Sequence, residues 1–289
     1  MVDSLSIGFG ATYTSDEESY RTTSIALEAG YRIINTCAAY ENERGMGRAI
    51  AASGIPRDEL IIISLDSNAK RSSENPKNFD AYKAQIDQIQ DSLACMPINH
   101  IDFYMIHWPV PRYMESVWEK LNAESWRAME DCVEKGLIKN LGVSNFLAHH
   151  IKILLKTARI PIKANQLEVH PNFQQRELAE LCRGLGMSII AWSPLFKGKS
   201  MKLPAVVEIS KKYSKSPAQI VLRWHLQNKI TPIVSSSNEE RIRANFDILN
   251  FEIEKEDMFR IDSLETGEHV DAYSYARQIA SVKGAIGHE

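Results

Sequence analysis

The interpretation of this chain depends on one stretch, Tyr31-Arg32-Ile33-Ile34-Asn35-Thr36-Cys37-Ala38-Ala39-Tyr40-Glu41-Asn42-Glu43. Its first part is apolar and rich in isoleucine, which is typical of a buried strand, and its second part is polar. The polar residues therefore follow the carboxyl end of a strand. In a barrel of parallel strands, that end is where catalytic residues gather.

Two further predicted strands also end in polar residues. Residues 101–106 are followed by His107, and residues 59–63 are followed by Ser64-Leu65-Asp66. If all three strands are parallel, they deliver Tyr40 and His107 to one rim. A tyrosine hydroxyl and an imidazole at one site are the groups that a proton donor and its orienting partner require.

Strand and helix signals alternate eight times along the chain. The predicted strands are residues 4–12, 31–34, 59–63, 101–106, 140–145, 162–170, 188–195 and 231–235. The predicted helices are residues 15–29, 43–53, 79–95, 117–135, 148–156, 175–185, 203–213 with 217–227, and 239–248, followed by an amphipathic stretch at 255–264. This order predicts an α/β fold, a (β/α)8 TIM barrel forming a single domain over residues 1–289, with a tail from about residue 265.

The connections carry further predictions. Residues 67–78 and 110–116 form loops on the predicted rim and are expected to set substrate specificity. Within the first loop, Lys70-Arg71 is interpreted as a solvated pair. His149-His150 and His170 lie in loops or at helix starts and are interpreted as surface residues, not ligands.

Composition excludes several classes of function. With 289 residues, of which 44% are hydrophobic and 25% charged, the chain can bury a large core, and a net charge of −3 gives no reason to expect nucleic acid or an anionic membrane. The four cysteines are scattered without a CxxC pair or a histidine at ligand spacing, so neither a metal site nor disulfides are predicted. No apolar run approaches ~20 residues and no leader pattern is present, so a cytoplasmic protein is expected.

Several motifs, taken in order, resemble those of the aldo-keto reductases, and within them the bacterial 2,5-diketo-D-gluconate reductase branch. The likeness extends from Gly8 to about Leu264 and rests on the combination of motifs, since none of them is specific alone. The motifs are Gly30-Tyr-Arg-Ile-Ile-Asn-Thr36 with Ala39-Tyr-Glu-Asn-Glu43, Asp102-Phe-Tyr-Met-Ile-His-Trp-Pro109, Gly142-Val-Ser-Asn-Phe146, Asn165-Gln-Leu-Glu-Val-His-Pro171, Trp192-Ser-Pro-Leu195, and Arg241 with Asn245.

The resemblance implies hydride transfer from NADPH to a small carbonyl compound while a tyrosine hydroxyl protonates the developing alkoxide. In the family, a lysine lowers the pKa of that tyrosine, an aspartate pairs with the lysine, and a histidine orients the carbonyl. On this sequence, Tyr40 matches the acid and His107 the orienting residue. The aspartate position is occupied by Asn35 and the lysine position by Leu65.

This double departure gives an altered catalytic tetrad. Loss of the lysine alone would leave a buried carboxylate unpaired, so the change of both residues is interpreted as a matched replacement. Without the ammonium, Tyr40 is expected to keep a pKa near or above the ordinary ~10, and Asp66 would raise it further if it faced inward. Tyr40 is then a weak acid at neutral pH.

The residues that the resemblance assigns to the cofactor are better preserved. On the nicotinamide side, Ser144, Asn145 and Gln166 match residues that bind the carboxamide, and Trp192 matches the aromatic residue on which the ring stacks. Ser193 and Leu195 are also assigned to the cofactor. On the adenosine side, Ser235 and Ser236 stand where Lys-Ser is usual, so one cation for the 2′-phosphate is missing, while Arg241 and Asn245 remain. Binding of NADPH is predicted but weakened, and NADH stays open.

Three functions remain open on the sequence alone. The first is an NADPH-dependent reductase of a small carbonyl compound with weak turnover. The second is a catalytically silent NADPH-binding protein, and the third is a non-redox lyase or cyclase that reuses Tyr40, His107 and Asp66. In each case the expected partner is a small molecule, with no nucleic acid, no membrane and no metal, and the expected state is a monomer.

Overall fold

Eight parallel strands close into a barrel in the computed structural model, which describes residues 7–12, 14–73 and 75–270. Each strand pairs with its neighbours in chain order, and β8 completes the barrel by pairing with β1. The strands are β1 Gly8–Gly10, β2 Ile33–Cys37, β3 Ile61–Leu65, β4 Ile101–Ile106, β5 Ile138–Ser144, β6 Ala164–Glu168, β7 Ser188–Trp192 and β8 Ile230–Val234. The predicted (β/α)8 barrel is thereby confirmed.

Helices surround this barrel and follow the strands in turn. They are α1 Asp16–Ala29, α2 Glu43–Ala52, α3 Ala81–Cys95, α4 Trp118–Glu134, α5 Ala148–Leu154, α6 Arg176–Gly184, α7 Pro204–Lys212, α8 Pro217–Gln227, α9 Glu239–Phe246 and α10 Lys255–Asp262. Among the described residues, none of these helices is long and apolar enough to cross a membrane. Most predicted bounds agree to within two residues. The predicted strands at 162–170 and 188–195 extend two and three residues beyond the carboxyl ends of β6 and β7, and the predicted strand at 31–34 ends three residues before β2 does.

The first helix illustrates how local chemistry sets the bounds. The Ser15 hydroxyl accepts a hydrogen bond from the backbone N–H of Glu18 (3.2 Å), and Gly30 ends the helix in the left-handed region at φ 110°. A serine before the first turn and a glycine in the left-handed region after the last turn are both typical of helix ends. The carboxylate of Glu18 pairs instead with Arg21 (2.7 Å), so half of the reciprocal capping box is formed.

Strand alternation separates an inner from an outer set of side chains. An apolar cluster fills the barrel interior, and Leu65 belongs to it, with Tyr40 packed against its edge. Asp66, the next residue after Leu65, forms an ion pair with Arg71. Because successive side chains of a strand point to opposite faces, Leu65 faces the interior and Asp66 faces away from it.

Three surface predictions are wrong. His150 is buried, and its Nδ1 accepts a hydrogen bond from the backbone N–H of Leu147 (3.0 Å). His170 is also buried, where its ring stacks on Phe196 at 4.1 Å between centroids. Arg71, predicted in a solvated loop, is 1% exposed.

The beginning of the predicted tail crosses the rim. The backbone N–H groups of Thr266 and Gly267 both donate to the carbonyl oxygen of Asn172, which lies in the loop after β6 (3.0 Å each). Val270 N donates to the Glu168 carboxylate at the end of β6. The remainder of the predicted tail, from residue 271, lies outside the described residues.

Close approach of α1 and α2 requires glycine at position 45. The backbone N–H of Gly45 donates to Asp16 Oδ1 (2.9 Å), and a Cβ at position 45 would overlap the carbonyl oxygen of Asp16. We expect Gly45→Ala to lower the free energy of unfolding by about 2 kcal/mol, as overpacking does. Gly184→Ala is the control, since its Cβ would meet nothing within 4 Å and alanine favours helix. Urea unfolding of both variants measures the difference, and equal stabilities would contradict the packing argument.

Candidate active site

The ends of β2 and β4 meet at the carboxyl rim of the barrel. Tyr40 ends the 3-10 turn Ala38–Tyr40 that follows β2, and His107 directly follows β4. Cys37, the last residue of β2, places its Sγ 3.3 Å from His107 Nδ1. The second ring nitrogen of His107, Nε2, is therefore the one left for a ligand. The two residues predicted as proton donor and orienting partner lie at the same rim.

His107 is a neutral imidazole at physiological pH. Burial lowers the pKa of its ring to about 4, and the Arg71 guanidinium also disfavours a second positive charge. The hydrogen bond between the ring and the backbone of Asp66 acts in the opposite direction, and its effect is larger than that of Arg71 but smaller than that of burial. A neutral ring can hydrogen-bond a substrate oxygen, but it is not a reservoir of protons for it.

Asn35 and Leu65 occupy the two interior positions that the resemblance assigns to an ion pair. The Asn35 Oδ1 accepts a hydrogen bond from Gln166 Nε2 (2.8 Å), and Leu65, 2% exposed, lies in the apolar cluster. Neither position carries a charge. The expectation that Asp66 influences Tyr40 from within the pocket is not met, because the Asp66 carboxylate faces His107 N (3.0 Å) and Arg71 Nε (3.3 Å).

The predicted nicotinamide-side residues form one hydrogen-bonded group across three strand ends. Ser144 Oγ donates to the Gln166 carbonyl oxygen (2.9 Å), and Asn145 Nδ2 donates to Ser144 Oγ and to the His107 carbonyl oxygen (3.1 Å each). Trp192 Nε1 donates to Asn145 Oδ1 (2.8 Å). The backbone of Asn145 adopts the left-handed region, at φ 61°, while its side chain makes these hydrogen bonds. Sequence reasoning did not find the bond between Trp192 and Asn145, since the two residues are 47 positions apart.

This group fits a nicotinamide carboxamide. The carboxamide offers two N–H donors and one acceptor, and the site offers amide and hydroxyl groups that can accept and donate. The partly exposed indole of Trp192 supplies a flat apolar face beside them. Ser193 and Leu195 lie in the turn that follows Trp192, where the backbone of Ser193 has φ 50°.

The predicted adenosine-side residues lie after β8 and on α9. Ser235 is exposed, and Ser236 Oγ accepts a hydrogen bond from Arg241 Nε (3.2 Å). Asn245 is buried on α9. A cation that sequence reasoning missed also reaches this loop, because Arg21 Nη2 donates to the Ser237 carbonyl oxygen (2.6 Å) from 216 positions away. Two exposed guanidinium groups, those of Arg241 and Arg21, therefore lie at this loop, and a phosphate-binding role for Arg241 stays a prediction.

A small rim cavity lies beside the predicted nicotinamide-side residues and is lined in part by Asn145 and Trp192. Its walls are mostly aromatic or apolar with two amides and one carboxylate, and the residues are Trp108, Asn145, Leu147, Leu167, Glu168, Phe173, Gln175 and Trp192. The cavity has room for about one water molecule, so it forms part of the pocket wall and not a complete substrate site. In the described ranges, no group of three or more His, Cys, Asp or Glu side chains is arranged to hold a metal ion.

The fold and this site define a barrel oxidoreductase of the nicotinamide-dependent class. The model of the aldo/keto reductase family matches residues 5–266, so the chain belongs to the aldo-keto reductase family. The glyoxal reductase of Bacillus subtilis is 38% identical over 253 residues, covering 88% of this chain and 86% of that protein. The methylglyoxal reductase DkgA of Escherichia coli is 35% identical over 266 residues, covering 91% and 90%.

A solved structure agrees with this assignment. The aldo-keto reductase of Bombyx mori in complex with NADP superposes with a TM-score of 0.82 at 28% identity, covering 93% of this chain and 92% of that one. Members of the family are NAD(P)H-dependent oxidoreductases. The sequence-based predictions of an oxidoreductase and of NADP(H) as its cofactor are therefore confirmed, and the roles of the individual site residues remain predictions.

The buried, neutral state of His107 makes stability depend on pH. Its pKa in the folded protein, about 4, lies below the ordinary 6.5, so protons bind the unfolded chain first. This contribution to the free energy of unfolding is present above pH 6.5 and is lost as the pH falls toward 4. Urea unfolding at pH 7 and pH 5 should show a loss of up to about 2 kcal/mol from this group, absent in His107→Asn. An identical pH dependence in the variant would contradict the assignment.

Proposed function

We propose that this protein is an NADPH-dependent reductase of small carbonyl compounds in which Tyr40 donates the proton without help from an ammonium group. One observation carries the proposal. The hydrogen-bonded group that fits a nicotinamide is complete. The adjacent interior positions hold a hydrogen bond between two neutral side-chain amides, from Gln166 to Asn35, and the apolar Leu65. The residues expected to bind the cofactor are thus retained, whereas the aspartate and lysine that would lower the pKa of Tyr40 are replaced by Asn35 and Leu65.

The chain's own residues have distinct roles in this scheme. The bound cofactor supplies the hydride. Asn145 and Trp192 hold the nicotinamide side in register, and Asn35 steadies Gln166 beside them through their hydrogen bond. His107, as a neutral imidazole, orients the substrate oxygen, and the Tyr40 hydroxyl gives its proton to the oxygen as negative charge develops there. A donor without an adjacent cation makes this step slow.

The substrate class follows from the weakness of the acid. A carbonyl next to a second carbonyl is more electrophilic than an isolated one, so its reduction requires less help from a proton donor. The relatives named glyoxal reductase and methylglyoxal reductase act on compounds of this kind. We therefore propose small 1,2-dicarbonyl compounds as substrates, with the aromatic rim at Trp108, Phe173 and Trp192 excluding water around them.

Removal of the Tyr40 hydroxyl tests the proposed donor. Tyr40→Phe keeps the ring packed against the interior cluster and deletes the acidic proton. We expect kcat for NADPH oxidation with methylglyoxal to fall by about 10²-fold or more, the range of general acid catalysis. NADPH affinity should stay the same. Unchanged turnover in Tyr40→Phe would remove Tyr40 from the mechanism.

Restoration of the ion pair tests the altered tetrad. The double variant Asn35→Asp/Leu65→Lys places an ammonium near Tyr40 and a carboxylate to pair with it, which lowers the pKa of the tyrosine. We expect kcat at neutral pH to rise by about tenfold or more. The matched control is Leu65→Met, which changes shape without charge. A double variant no faster than the wild type would show that the missing pair does not limit the rate.

A second candidate function is supported by the same two positions. Leu65 is apolar and Asn35 neutral, so the site is also suited to binding NADPH without turnover, as a cofactor-dependent binding protein. In that case the wild type binds NADPH but reduces no carbonyl, and Asn35→Asp/Leu65→Lys creates activity. A lyase or cyclase, the third possibility from the sequence, has no specific structural observation in its favour. A monomer in the cytoplasm stays a prediction.

A further inference from the structure

A buried ion pair lies directly behind the rim, one residue beyond Leu65. Asp66 and Arg71 are 0% and 1% exposed, and Asp66 Oδ2 lies 3.3 Å from Arg71 Nε. Taking two charges out of water carries a large desolvation cost, which is recovered only when further hydrogen bonds satisfy both groups. The remaining atoms of the pair should therefore have specific partners.

Two of those partners are consecutive positions of the segment after β4, and a third is a side chain of α4. Asp66 Oδ1 accepts a hydrogen bond from the backbone N–H of His107 (3.0 Å), and Arg71 Nη1 donates to the carbonyl oxygen of Trp108 (2.9 Å). The next position of the segment, Pro109, is held by Asn122 of α4.

Asn122 of α4 completes the arrangement. Its Oδ1 accepts a hydrogen bond from Arg71 Nη2 (2.6 Å), and its Nδ2 donates to the carbonyl oxygen of Pro109 (3.0 Å). Asn122 is 2% exposed. Asp66, Arg71 and Asn122, here called the rim clamp, thus connect the end of β3, the following loop and α4 to the segment that carries His107.

The ring of His107 is connected to the same network from the other side. Cys37 Sγ lies 3.3 Å from the carbonyl oxygen of Asp66 and 3.3 Å from His107 Nδ1. When the thiol proton is donated to Nδ1, the neutral ring carries its own proton on Nε2 and can donate it to a substrate oxygen. Asp66 therefore contacts the backbone N–H of His107 directly and its ring through the Cys37 thiol.

We propose that the rim clamp is a positioning device that sets the orientation of His107 and Trp108 and thereby determines how the substrate carbonyl is held. None of its three members touches the pocket, so they act through the segment after β4. The effect on catalysis rests on the proposed reductase function, whereas the effect on the His107 ring does not.

The alternative is that these residues only stabilise the fold. A matched control for a purely structural role lies at the amino end of β4, the strand that His107 follows. Asp102, near the start of β4, forms an ion pair with Arg57 (2.6 Å) and accepts a hydrogen bond from the backbone N–H of Ile62 (2.9 Å). Loss of that pair weakens the same strand without contacting His107.

The test compares Asp66→Asn, Arg71→Lys and Asn122→Ala with Asp102→Asn in the full chain. Three quantities are measured: the NMR signals of the His107 ring at fixed pH, the dissociation constant for NADPH, and KM and kcat for methylglyoxal. We expect the rim-clamp variants to shift the His107 signals and to raise KM by about tenfold or more, because a displacement near 1 Å at the substrate has effects of that size. NADPH affinity should change less than KM, since none of the three clamp residues contacts Ser144, Gln166 or Trp192 and only the bond from Asn145 to the His107 carbonyl oxygen joins the two groups. Asp102→Asn should change none of the three.

The outcomes separate the possibilities. His107 signals and KM at wild-type values in the Asp66 and Arg71 variants would overturn the proposal, as would equal shifts in Asp102→Asn. If a single variant does not fold because one charge is left unpaired, the neutral pair Asp66→Asn/Arg71→Gln carries the same expectation. If the wild type shows no turnover, the proposed function fails, and the His107 signals alone decide on the clamp.

Discussion

Polar side chains inside the barrel mouth depend on being satisfied by one another, and this constraint governs the arrangement of the site. A buried polar group without a partner costs several kcal/mol, so the interior positions near Tyr40 must be paired or apolar. The hydrogen bond from Gln166 to Asn35 meets the condition by linking β6 to β2, and Leu65 meets it by having no polar atom. The same bond joins the predicted catalytic side of the pocket to the predicted cofactor side.

The charges closest to His107 lie behind it, whereas the Glu168 carboxylate lies at the wall of the rim cavity. Asp66 and Arg71 form their ion pair on the outer side of β3 and use their remaining hydrogen bonds on the segment after β4. Burial of the His107 ring keeps it neutral, and the nearby Arg71 guanidinium adds to the effect because a second positive charge there is unfavourable. Under the proposed function, the proton donor Tyr40 and its orienting partner His107 are therefore both neutral groups.

The fold was predictable because its signals are local. Runs of isoleucine and valine that end in polar residues mark the strands, and Ser15 and Gly30 mark the two ends of α1 through contacts within a few residues. The rim placement of Tyr40 and His107 followed from the parallel order of the strands alone. Strand ends at β6 and β7 were less predictable, since polar and apolar residues continue beyond the last ladder hydrogen bonds.

What could not be predicted depends on contacts between distant parts of the chain. The burial of Arg71 requires Asn122, 51 positions away, and the approach of Arg21 to Ser237 joins residues 216 positions apart. His150 looked like a surface histidine because its backbone partner and its aromatic neighbour Trp118 become visible only in the fold. Sequence pattern identifies which side chains can do chemistry, whereas their charge state and orientation are set by packing.

The most direct measurement for this account is a titration of the purified wild-type protein with NADPH, followed by quenching of tryptophan fluorescence that includes Trp192. The account predicts saturable binding at one site per chain, reduced in Trp192→Phe, because the nicotinamide-side group is complete without the Asp–Lys pair. No binding at millimolar NADPH would contradict it, since neither a reductase nor a cofactor-binding protein could then use this site.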